Sequence, residues 1–61
     1  MTGQLKPSIL IRSRGGFLGL VSHFSNDGLY LGSKTAGRIR PTMALAMIDA
    51  TRLARILERS N

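Results

Sequence analysis

Pro41 divides this 61-residue chain into two parts with different secondary-structure preferences. Before it, short runs rich in Ile, Leu, Val and Phe are separated by glycine-bearing turn segments, the pattern of strands and hairpins. After it, Ala, Met, Leu and Arg dominate, residues that lose little freedom on entering a helix. A proline suits a first helical turn, where its missing N–H has no partner to lose. Strands collected in one part and a helix in the other predict an α+β fold.

Residues 1–7 read as a polar lead-in. Residues 8–14, Ser-Ile-Leu-Ile-Arg-Ser-Arg, suit a first strand, and Gly15-Gly16 reads as a two-residue hairpin turn because both positions tolerate positive φ. Residues 17–24 form the second strand. Ser25-Asn26-Asp27-Gly28 is turn chemistry, and residues 29–33 complete a three-stranded antiparallel meander over 8–33. Residues 34–40 read as a basic connection and 41–59 as one helix packed on a sheet face, so that 1–61 is a single small domain. An alternative makes 42–48 a short fourth strand, with Asp49 capping a shorter helix.

A two-residue turn fixes the expected register. It sets Arg14 opposite Phe17, Arg12 opposite Gly19 and Leu10 opposite Val21. Side chains alternate between faces with period two. One face then carries Ile9, Ile11, Leu18, Leu20, Phe24, Leu29 and Leu31, and is the expected core. The other mixes cations, aromatics and glycines: Arg12, Arg14, Phe17, Gly19, His23, Tyr30, Gly32 and Lys34, with Leu10 and Val21. On the helix, Met43, Ala46, Met47, Ala50, Leu53, Ala54 and Leu57 form the stripe expected to cover the core. Asp49 with Arg52, and Glu58 with Arg55, stand at helix-pair spacing.

A chain of this size buries only about 60% of the surface it exposes when unfolded. There is no cysteine, so neither disulfides nor thiolate metal sites are available. One histidine and three carboxylates give no basis for a metal site, and no cofactor is expected. Self-association is the remaining source of stability. Residues 43–48 are apolar without interruption, which suggests burial on more than one side. Met43, Leu45, Met47 and Ile48 are therefore the expected interface of a homodimer or higher oligomer. No apolar run approaches a transmembrane span or a signal-peptide core, so a soluble, cytoplasmic protein with no membrane partner is expected, nucleoid-associated if bacterial.

Charge carries the functional expectation. Nine Lys and Arg stand against three Asp and Glu, a formal net charge of +6. Seven of the nine are arginine, whose planar fork grips phosphate bidentately and stacks on bases. Such an excess points to nucleic acid, DNA in preference to RNA, and to a small regulatory or accessory factor. On the mixed face Phe17, Tyr30 and His23 are placed to stack on bases, with Arg12, Arg14 and Lys34 for phosphates. Arg38 and Arg40, beside the start of the helix, add phosphate contacts. The same face can instead be a dimer interface. The alternative function is a protein-interaction module or inhibitor that docks on an acidic partner. His23 has no carboxylate beside it in this register and no nucleophile is visibly activated, so neither an enzyme nor a small-molecule substrate is expected. The meander-plus-helix layout is similar in architecture to single-strand-binding transcriptional coactivators and to plant ethylene-response-type domains; the likeness transfers no residue roles.

Overall fold

The computed structural model describes residues 3–59. Three strands precede one helix: β1 (Gln4–Ile11), β2 (Phe17–Phe24), β3 (Tyr30–Arg40) and α1 (Met43–Arg59). The sheet is antiparallel in the order β1-β2-β3, an α+β fold of the expected kind. Residues 43–48 are helical, which removes the fourth-strand alternative. β1 begins at Gln4 inside the expected lead-in and ends at Ile11, so Arg12 and Arg14 belong to a loop and not to a strand.

The first turn corrects the expected register. The Arg12 amide donates to the Gly16 carbonyl at 3.2 Å, and the Gly15 amide donates to the Arg12 carbonyl at 3.0 Å. Arg12 and Gly16 thus close a three-residue loop, Ser13-Arg14-Gly15, with Gly15 at φ 94°. This is the type of hairpin that needs a left-handed residue at its third loop position. The second hairpin repeats it. Ser25 donates to Leu29 at 2.9 Å around Asn26-Asp27-Gly28, with Gly28 at φ 86°. Ile11 consequently pairs with Phe17 and Ile9 with Gly19, three positions from the expected register. Three is odd, so β2 turns over relative to β1.

The overturned strand determines where the helix sits. Gly19 faces α1 so closely that a Cβ built on it would lie 2.4 Å from the Ala46 carbonyl oxygen and 2.8 Å from the Ala50 nitrogen. Val21, on the same side, is 1% exposed. The helix presents Ala46, Ala50 and Ala54, spaced by four, and all three are buried. Small residues on both elements let helix and strand backbones approach. Leu18, Leu20 and Phe24, expected in the helix-covered core, lie on the opposite side of β2. Met43 and Met47, expected in the covering stripe, are exposed.

Thr42 begins the helix. Its Oγ1 accepts from the Leu45 amide at 3.3 Å, and its carbonyl accepts from the Ala46 amide at 3.3 Å. Thr42 is thus the N-cap, satisfying one of the amides that a helix start leaves unpaired. Pro41 lies before the cap and not in the first turn.

Residues 34–40 are not a connection. β3 runs through them to Arg40, with Lys34 opposite Val21 and Arg40 opposite Phe17. The register shifts twice, between His23 and Phe24 and between Leu18 and Leu20 of β2, so β3 carries bulges. At the other edge, Pro7 supplies no amide to β1.

Candidate nucleic-acid interface

The register separates the residues expected to share one binding face. Phe17, His23 and Lys34 lie on the helix side of the sheet; Tyr30, opposite Phe24, lies on the uncovered side. Arg12 and Arg14 are exposed on the first hairpin loop. His23 and Lys34 line a groove of about 470 Å³ with Leu5, Val21, Leu31 and Leu57, and this lining is mostly apolar.

Arg38 and Arg40 are brought together, and with a residue from the helix. Strand β3 and helix α1 flank a second groove, about 330 Å³, lined by Ala36, Arg38, Arg40, Asp49, Arg52 and Leu53 among others. At its centre Arg40 grips Asp49 through two bonds. Nε donates to Oδ2 at 2.7 Å and Nη2 to Oδ1 at 3.1 Å. The side chains are 26% and 12% exposed, so the pair is largely sheltered. It is the only ion pair among the described residues. The helix-spaced Asp49–Arg52 pair is therefore displaced by a tertiary one, which supplies two parallel bonds where helix spacing offers a flexible contact.

The electrostatics follow from this arrangement. The fork from Arg40 holds the Asp49 carboxyl below its ordinary value against the opposing effect of burial, and the fields of Arg40, Arg38 and Arg52 act in the same direction. Arg40 in turn is held above its ordinary value by the bond to Asp49. Three guanidinium groups thus surround one carboxylate, and the groove keeps a positive excess. Arg38 and Arg52 are exposed. Arg52 signals itself only weakly in the sequence, because helical arginines ordinarily face solvent.

The uncovered side of the sheet holds a second cluster. Phe24 and Tyr30 meet edge-on, with centroids 5.7 Å apart and planes at 62°. The Lys6 ammonium lies 5.2 Å from the centre of the Phe24 ring. The Tyr30 hydroxyl is 2.6 Å from Ser33 Oγ, which is 3.3 Å from Ser22 Oγ. Lys6 and Phe24 escape sequence reasoning. Lys6 falls in the supposed lead-in, and Phe24 looks like core.

Among the described residues there is no group of three or more His, Cys, Asp or Glu side chains able to hold a metal ion, and no helix is long and apolar enough to cross a membrane. No protein-family model, curated protein or solved structure matches the chain.

Proposed function

We propose that this protein is a small nucleic-acid-binding accessory or regulatory factor, preferring DNA, that holds phosphates with its arginines and acts as a homodimer. The observation that carries the reading is the β3–α1 groove, where Arg38, Arg40 and Arg52 converge and a single carboxylate offsets only part of their charge. Arg40 is oriented in advance by Asp49, which lowers the ordering cost of a phosphate contact. Arg12 and Arg14 on the hairpin loop extend the basic surface.

Fluorescence anisotropy with single- and double-stranded DNA and RNA at two salt concentrations tests this. Affinity should fall steeply as salt rises. Replacing Arg38 and Arg52 together with Ala should reduce the slope of log K against log salt by about 1.8 for duplex DNA if each contacts one phosphate. Binding that ignores salt, or a chain that takes up only an acidic protein, would overturn the reading.

The exposed apolar side chains at the start of the helix favour self-association. Met43, Leu45, Met47 and Ile48 are exposed on the first half of α1, the two methionines a turn apart on one side and Leu45 with Ile48 on another, and offer apolar side chains that a second copy can cover by two-fold symmetry. Sedimentation should give a dimer at micromolar concentration, and Ile48→Glu should give a folded monomer. A monomeric native chain at high micromolar concentration would refute the dimer.

A further inference from the structure

We infer that the uncovered side of the sheet binds single-stranded nucleic acid by stacking an unpaired base on Tyr30, while the backbone follows β3 toward the arginine groove. The inference rests on the nucleic-acid reading and specifies the form of the ligand. Tyr30 is 61% exposed, yet its ring is fixed at both ends. Phe24 meets it edge-on and Ser33 holds its hydroxyl at 2.6 Å. An exposed aromatic already locked in place loses little freedom when a base stacks on it. The neighbouring Ser22 and Ser33 hydroxyls both donate and accept, so they can meet the edge of any base. Lys6, beside Phe24, adds a cation within reach of a phosphate.

β3 provides the connection between the two clusters. Tyr30, Ser33 and Thr35 pair with Phe24, Ser22 and Leu20 on the uncovered side, while Lys34 and Arg40 alternate onto the helix side. A strand running along this edge meets stacking and hydroxyl groups on one side and cations on the other. A duplex keeps its base faces stacked within itself and cannot use Tyr30, whereas a single strand can. A second copy of the chain fits this patch poorly, since a two-fold contact would bring the two Lys6 cations together within it.

The chain has one tyrosine and no tryptophan, so its intrinsic emission reports Tyr30 alone. Titration with a short oligothymidylate at low salt should quench that emission, and a blunt-ended duplex of equal length, with no unpaired bases, should leave it unchanged. Tyr30→Ala should weaken single-strand binding about tenfold or more, the range for a stacked base, with little effect on the duplex. Tyr30→Phe should keep most of the affinity, and Ser33→Ala should lose less than Tyr30→Ala. Circular dichroism confirms that each variant is folded. Replacing Arg38 and Arg52 should weaken both strand types without altering the quench at saturation. Binding without quenching, with Tyr30→Ala as tight as native, would overturn this inference alone. If neither strand type binds at low salt, the functional reading fails with it.

Discussion

The two sides of the sheet are built on opposite principles. On the helix side the central contacts are among the smallest in the molecule, Gly19 against Ala46 and Ala50. On the uncovered side the strands carry large groups: Leu10, Leu18, Leu20, Phe24, Tyr30 and Ile39. Leu18 is buried there between Leu10 and Ile39, its partners on the flanking strands. Close backbone approach organises the first side, and cross-strand side-chain pairing organises the second. Side-chain size is therefore a poor guide to which side a lone helix covers. Here the helix comes closest at Gly19, where the strand has no side chain.

The comparison can be broken in order of expected effect. Gly19→Ala should be the most damaging, about 3 kcal/mol, because the new methyl meets helix backbone that no rotamer can move aside. Chemical denaturation measures it. Total stability for a domain this size is only ~3–9 kcal/mol, so the variant should be close to unfolding. The reverse test is Thr35→Ala on the uncovered side, which should lie within about 0.5 kcal/mol of native. Equal costs at Gly19 and Thr35 would abolish the distinction between the sides. Val21→Ala should cost about 2 kcal/mol through lost burial alone. Thr42→Ala removes the helix cap and should cost about 1 kcal/mol, visible as a lower Tm.

The smallest expected effect is on pH dependence. Asp49 gives up its proton more readily in the folded chain than in the unfolded one. Its contribution is therefore complete above the ordinary carboxylate range, near about 4, and disappears as pH falls through the lower folded value. Acid titration of stability should show this limb, and Asp49→Asn should flatten it. An unchanged acid profile in that variant would mean that the fork from Arg40 does not stabilise the fold.

The inventory of elements was legible in the sequence, down to the bounds of β2 and nearly those of α1. The sidedness was not. Gly15-Gly16 looks like a two-residue turn, but a glycine can also close a loop from outside it. Gly16 pairs with Arg12, and the odd shift that results reverses every side chain of β2. Residues 34–40 looked like a connection because their charges resemble those of a solvated loop. Pairing with Leu18 and Phe17 extends β3 through them, an interaction that local composition does not encode. The arginine groove was half visible for the same reason. Arg38 and Arg40 are neighbours in sequence, whereas Arg52 and Asp49 arrive from the helix. The Tyr30 cluster was least visible, because Lys6 and Phe24 join it only through the corrected register.

Pro7 on one edge of the sheet and the bulges of β3 on the other have a consequence for assembly. A strand that lacks a donor, or kinks away from its neighbour, is a poor template for another chain's backbone. Both margins of the sheet discourage end-to-end growth into fibres. Any contact between copies is thereby steered away from backbone pairing at the sheet margins and toward side chains.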